Sequence, residues 1–366
     1  MDAGLDRHEV IVIGGGQAGL ALGYHLARQR RRFTILDAGD SPAAVWRSRW
    51  DSLTLFTPAR YDGLPGRPFP GDPDHYPTRD EVVEYLTGYA RDFELPIELD
   101  TRVRAVRERE RSYLVETDDR TYEADQVAIA TGPFQTPRIP SIAEQLAAEV
   151  HQLHSSDYRR PDDVGDGRVL VVGGGNTGFQ IAHELAATHE VHLAIGSRQT
   201  PLPQRLFGRD LFTLLTATGL MGKTVDSRLG RRLSGRDALI GSSPRAIRRR
   251  GVRVRPRATA AAGSTVTFAD KSALDVRAVI WATGFGVDYA YLDAPVFNDD
   301  GAVIHARGVT AAPGLYFLGM PWQHTRGSAL LGWVKDDAQH IADQISKRAT
   351  AGVHAPDDHL PLTPTR

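Results

Sequence analysis

Glycines in two matching triplets carry the clearest chemistry in this chain. Gly14, Gly16 and Gly19 stand in the spacing G-x-G-x-x-G, and Gly173, Gly175 and Gly178 repeat it. Each triplet follows an apolar run, Val10–Ile13 and Val169–Val172, and precedes an apolar helical pattern. In that setting the first glycine permits a tight turn out of a strand, and the second lets the backbone approach a pyrophosphate. The third lets helix pack closely on strand. The pyrophosphate then lies at a helix N-terminus, where free N–H groups and the positive end of the helix dipole face it. Gly14, Gly16, Gln17, Ala18 and Gly19 are therefore candidate binding residues of one dinucleotide, and Gly173, Gly175, Asn176, Thr177 and Gly178 of a second. Two dinucleotides on one chain point to electron transfer between them.

The residues at the ends of the next strands separate the two sites. Phe33–Leu36 ends at Asp37, about 20 residues past the first turn, where a carboxylate accepts hydrogen bonds from an adenosine ribose. That choice suits a nucleotide without a 2′-phosphate, such as FAD. The equivalent strand, Val191–Ile195, runs to Gly196, Ser197 and Arg198. Arginine there can clamp a 2′-phosphate, so NADPH is the expected second nucleotide, with NADH as the alternative. A surface arginine with no ligand is the plainer reading of Arg198. Each unit closes on an apolar strand ending in Ala-Thr-Gly, which adds Thr131, Gly132, Thr283 and Gly284 to the candidates.

These positions require an α/β fold with two Rossmann-like dinucleotide-binding domains. Between each glycine turn and its Ala-Thr-Gly lie short alternating segments: 103–106, 113–117 and 122 in the first unit, 252–254 and 265–268 in the second. They are expected to form a small antiparallel β-meander in each domain. The expected division is a discontinuous first domain, 1–160 with 285–349, a second domain, 161–284, and a disordered tail, 350–366.

Composition excludes several function classes. The chain has no cysteine, so a thiol–disulfide relay and cysteine-held metal centres are ruled out. The net charge is −1, and the arginine-rich stretch 205–257, with Arg228, Arg231, Arg232, Arg236 and Arg248, lacks interleaved aromatics. Nucleic acid is not an expected partner, and a solvated helical excursion is the better reading. No apolar run reaches the length of a membrane span and no signal peptide is evident, so a cytoplasmic protein with no membrane partner is expected.

By its motifs the chain resembles the class B flavoprotein monooxygenases, the flavin-containing monooxygenase family with its short bacterial members. The resemblance reaches to about residue 345. It rests on the two fingerprints and on His154-Ser155-Ser156-Asp157-Tyr158, similar to the family's histidine followed four places on by an aromatic. It also rests on Trp46-Arg47-Ser48-Arg49-Trp50-Asp51-Ser52-Leu53, and on the run from Gly314 through Gly319 to Leu330 and Gly332. The family's Phe-x-Gly upstream of the histidine is absent, with Ala148 and Val150 in its place.

The resemblance implies FAD in the first unit and NADPH in the second. It adds Trp46, Arg47, Val103, Gly319 and Leu330 as FAD-binding residues. It implies hydride transfer from NADPH to FAD, then a C4a-(hydro)peroxyflavin formed with O2 that oxygenates a small sulfide, amine or ketone. Larger members carry an asparagine where Phe56 stands here, and phenylalanine offers no hydrogen-bond donor. Phe56 and His324 are the candidate active-site residues, a structural role for His324 being the alternative. A rather open pocket and a homodimer are the family-based expectations. The rival readings are an NADPH-dependent flavin oxidoreductase or oxidase without oxygen insertion, and a non-catalytic FAD-binding redox sensor.

Overall fold

An unbroken apolar run such as Val10–Ile13 belongs to a strand covered on both faces. In the computed structural model, which describes residues 6–234 and 238–353, that strand is central. The chain opens with β1 (Asp6–Ile13), α1 (Gln17–Arg28) and β2 (Phe33–Leu36), continues through α2 (Ala44–Arg47) and α3 (Arg79–Asp92), and returns as β3 (Ile97–Glu98), β4 (Val103–Glu108), β5 (Tyr113–Thr117) and β6 (Thr121–Ile129). β1 pairs in parallel with β2 on one side and β6 on the other. The first half of β6 also pairs antiparallel with β5, and β5 with β4, which is the expected meander. The second half pairs in parallel with Leu315–Phe317, a strand from near the far end of the chain. The first sheet thus draws strands from both ends of the chain.

The chain crosses over through β7 (Thr136–Pro137), which pairs antiparallel with Phe285–Gly286 on the return path. The second unit comprises β8 (His151–His154), β9 (Arg168–Val172), α4 (Asn176–Leu185) and β10 (Glu190–Ala194), together with Arg253–Arg255 and Ala278–Trp281. These strands form one five-stranded parallel sheet.

Three expectations need correction. β8 belongs to the second sheet, so the second unit begins by His151 rather than after residue 160. Residues 253–255 are a parallel sheet strand; the second meander is instead Ala258–Ala262, Thr265–Phe268 and Ala273–Asp275. The last helix, Val334–Val353, carries chain order past residue 350, while the rest of the tail, 354–366, lies outside the described residues. That helix buries Val334, Ala338, Ile341, Ala342 and Ile345, a stripe at helical spacing, beside the buried face of α1.

Among the described residues, no helix is long and apolar enough to cross a membrane. No cluster of histidines and carboxylates among them could hold a metal ion.

Candidate active site

Both glycine turns are built to the same specification. Gly14 has φ +111° and Gly173 φ +141°, and a Cβ on either would meet the carbonyl oxygen of Ala130 at 2.6 Å or Ala282 at 2.0 Å. A Cβ on Gly19 would sit 1.9 Å from the Gly14 oxygen, and one on Gly178 would sit 2.2 Å from the Gly173 oxygen. Gly16 and Gly175 differ: nothing lies within 4 Å of a Cβ on either. These open positions are the N-caps of α1 and α4, and neither helix has a side-chain cap. By contrast Thr78 caps α3 in a capping box, and Asp210 caps the helix Leu211–Ala217. Two helices with free N–H groups facing open space fit two pyrophosphates.

Two adjoining cavities extend from the first turn. One, of about 530 Å³, is lined by Gly14, Leu36, Asp37, Thr101, Val103, Thr131 and Tyr291 among others. The second, of about 280 Å³, takes in Gly16, Gln17, Ala18, Trp46, Arg49, Trp50, Phe56, Gly132, Gly319 and Leu330. It also takes in Asn176 and Thr177, the first residues of α4 in the second unit, so the starts of both helices border one space. Gln17 fixes its wall: its Oε1 accepts from Trp46 Nε1 at 2.9 Å and its Nε2 donates to the Ala329 carbonyl at 3.4 Å.

Part of the arginine-rich excursion packs behind Phe56, a wall residue of this space, instead of standing in solvent. Phe212 is fully buried and stacks on Phe56 at 5.7 Å, and it also meets Trp333 at 5.7 Å. Asp210 Oδ2 accepts from Tyr76 at 2.8 Å and from Gln204 at 3.3 Å, while Gln204 Nε2 donates to the Phe56 carbonyl at 2.6 Å. Val225 N donates to the His324 carbonyl at 2.8 Å. Phe56 is therefore held from behind by the excursion, none of whose described residues lines the cavity itself. The arginines at 228, 231, 232 and 248 do face solvent, and Arg236 lies outside the described residues.

Individual candidates differ in what their side chains do. Asp37 is bound into the first turn: Oδ2 accepts from Gly15 N, and Oδ1 from Gly39 N at 2.7 Å. Ser197 and Arg198 are exposed at the end of β10, beside Arg257, which donates to the Gly196 carbonyl at 2.9 Å. Asn176 spends its side chain on structure, donating to the Ala238 carbonyl at 3.1 Å and accepting from Ile240 N at 2.9 Å. Thr283 Oγ1 donates to the Arg138 carbonyl, and Thr131 Oγ1 accepts from Gln135 at 2.9 Å. Gly132 and Gly284 hold positive φ of +69° and +82°. Arg47 is exposed, 3.6 Å from Asp40, and is not a lining residue. His324 is half-buried and also outside the cavity lining. Its backbone N donates to Ser328 Oγ at 3.0 Å.

Three ionisable groups stand out here. His154 Nδ1 accepts from Ser156 N at 3.1 Å, so Nε2 carries the proton and donates to the Gly284 carbonyl at 3.1 Å; burial lowers its pKa. Asp62 is fully buried; Thr57 donates to its Oδ1 at 2.7 Å, and Oδ2 has no hydrogen-bond partner among the described residues. Burial first, and the nearby Asp210 carboxylate second among the raising effects, push Asp62 up to about 7. Burial lowers the Arg49 guanidinium to about 10, with Arg159 adding to the effect. Sequence reasoning missed Arg49 and Asp62. The run Trp46-Arg47-Ser48-Arg49-Trp50 holds two arginines, of which the structure buries Arg49 and exposes Arg47.

Two Rossmann-type units whose uncapped helices face one cavity define a two-dinucleotide-binding oxidoreductase. The pyridine nucleotide-disulphide oxidoreductase family profile matches residues 11–204. The uncharacterized oxidoreductase CzcO-like of Geobacillus kaustophilus is 43% identical over 92% of this chain and 98% of its own length. Indole-3-pyruvate monooxygenase YUCCA4 of Oryza sativa is 27% identical over 95% of this chain and 89% of its own. The flavin-containing monooxygenase of Stenotrophomonas maltophilia superposes with TM-score 0.79, at 31% identity over 94% of this chain and all of that one. The chain belongs to the pyridine nucleotide-disulphide oxidoreductase family, on its flavin-containing monooxygenase branch. The chain has no cysteine, so a relay through thiols of its own is excluded.

Proposed function

We propose that the protein holds FAD at the first glycine turn and NADPH at the second, and oxygenates a small sulfide, amine or ketone in the cavity between them. Bound there, the pair supplies hydride transfer from NADPH to FAD and then activation of O2 by the reduced flavin. The observation that carries this reading is the shared cavity: Gln17 and Ala18 line it from one turn, Asn176 and Thr177 from the other. The uncapped N–H groups of α1 and α4 hold the pyrophosphates, and Gly16 and Gly175 leave the space for them. Asp37 faces the first cavity, with lone pairs left to accept from a ribose. Arg198 and Arg257 place positive charge at the end of β10, in support of a 2′-phosphate. Phe56, backed by Phe212, and Leu330 make this wall apolar, which keeps water out and protects a reactive oxygen species from discharge.

The test is NADPH consumption by the FAD-loaded protein in air, with hydrogen peroxide and sulfoxide measured beside it and a small aryl sulfide present or absent. Sulfoxide formed at the expense of peroxide is the expected result. A second reading, an NADPH oxidase without oxygen insertion, is favoured by Phe56, whose ring brings no hydrogen-bond donor to the cavity. Peroxide equal to NADPH consumed, with no product from sulfide, amine or ketone, would establish it.

A further inference from the structure

Arg49 is a buried cation with nothing to neutralise it. It is 9% exposed and lines the shared cavity. Its guanidinium lies over Phe134 at 4.6 Å and Phe285 at 5.0 Å. Among the described residues it makes no ion pair and donates no side-chain hydrogen bond. The nearby Asp51 is taken by Arg79, at 2.5 Å. The charged neighbour that acts on Arg49 is another arginine, Arg159, which makes the position more electropositive still. Aromatic faces attract a cation only modestly, whereas burying an unpaired charge is costly. A site that holds such a group in a cavity is built for an anion.

The anions already expected in this cavity have their own receptors. Each pyrophosphate has an uncapped helix and a glycine turn, and the 2′-phosphate has the exposed Arg198 and Arg257. Arg49 is left over. Around it the cavity is apolar and aromatic, with Trp46, Trp50, Leu53, Leu55 and Phe56 in its lining. A guanidinium fork matches a carboxylate in shape and charge, and those walls match an aryl or branched-alkyl body. We propose that Arg49 is the receptor for the substrate's carboxylate, so that the molecules oxygenated here are organic acids with an apolar body. This rests on the reading that the cavity receives the substrate; it narrows the substrate class and adds no chemical step.

The test is an equilibrium titration of the oxidised FAD-loaded protein, in phosphate-free buffer, with phenylpyruvate and with its uncharged methyl ester. Flavin absorbance and the fluorescence of Trp46 and Trp50 report binding, and no turnover is involved. Failure of oxygen transfer would thus overturn the reading above without touching this result. The acid is expected to bind at least about tenfold more tightly than the ester, the scale of a lost charge-assisted contact. R49M fills the same space without charge and is expected to lose that preference, and R49K to keep part of it. Flavin content and NADPH affinity should stay within about twofold in both variants, a shift under one tenfold step. Equal binding of acid and ester by the unaltered protein, or no binding of either, would overturn the proposal. So would a preference that survives in R49M. Loss of flavin or of NADPH affinity in R49M would overturn it too, and would assign Arg49 to a nucleotide phosphate.

Discussion

The two glycine turns share a backbone but differ in what surrounds them. At the first, the Asp37 carboxylate is inside the turn, held by Gly15 N and Gly39 N, and two adjoining cavities run from it into the protein. At the second, Ser197 and Arg198 are exposed, and the side chain of Asn176 is tied to residues 238–240 rather than left for a ligand. The first arrangement suits a cofactor that stays, the second one that arrives and leaves. On the proposed function, the same fold element serves two roles through the residues just beyond it, a carboxylate in one case and guanidinium groups in the other.

The sharpest way to break this comparison is to fill the two open N-cap positions. Neither Gly16 nor Gly175 has an atom within 4 Å of an added Cβ, so valine there leaves the fold intact but occupies pyrophosphate space. G16V is expected to purify folded and without flavin. G175V is expected to keep its flavin and lose NADPH affinity by about a hundredfold or more, a loss of roughly 2.7 kcal/mol or beyond. Flavin absorbance and an NADPH titration check both.

Removing the packing behind Phe56 comes next. Phe212 is fully buried between Phe56 and Trp333, so F212A should cost about 3–5 kcal/mol in denaturant unfolding. With water admitted behind Phe56, peroxide released per NADPH should rise as well.

A smaller effect separates Asp62 from the surface carboxylates. Its carboxyl titrates near 7 in the fold against an ordinary 3.8, so between those values the native state holds a proton that the unfolded chain has released. Stability from this group is thus present at low pH and lost as pH rises through about 7. The loss between pH 5 and pH 8 is on the order of 2–3 kcal/mol. D62N should flatten that part of the profile, read by thermal unfolding across pH. An unchanged slope would show Asp62 ionised throughout. Smallest is the effect of R198A, expected to lower the preference for NADPH over NADH by about tenfold, or 1.4 kcal/mol, with little change in flavin content.

Much of this was legible in the residues. Val10–Ile13 and Val169–Val172 had to be doubly covered strands, and the triplets after them had to be turns at helix starts. Both inferences rest on local geometry, which sequence encodes directly. The first meander was readable for the same reason, from its alternation at 113–117. The placement of 253–255 was not, because three alternating residues fit a meander edge and a parallel strand equally well, and only the partner strand decides. The docked excursion was hidden for a related reason. Its arginines dominate the composition of 205–257, while the contacts that dock it come from Asp210, Phe212 and Val225, each unremarked in the chain. Arg49 and Asp62 were missed because burial of a charged group is a tertiary fact. Nothing in the local pattern says which of Arg47 and Arg49 turns inward.

The account turns on two nucleotides meeting in one cavity, and anaerobic rapid mixing of the FAD-loaded protein with NADPH tests this most directly. The account predicts bleaching of the flavin absorbance at a rate that saturates with NADPH, and loss of that bleaching in G175V while the flavin stays bound. Flavin that remains oxidised under saturating NADPH, or that bleaches equally fast in G175V, would contradict it.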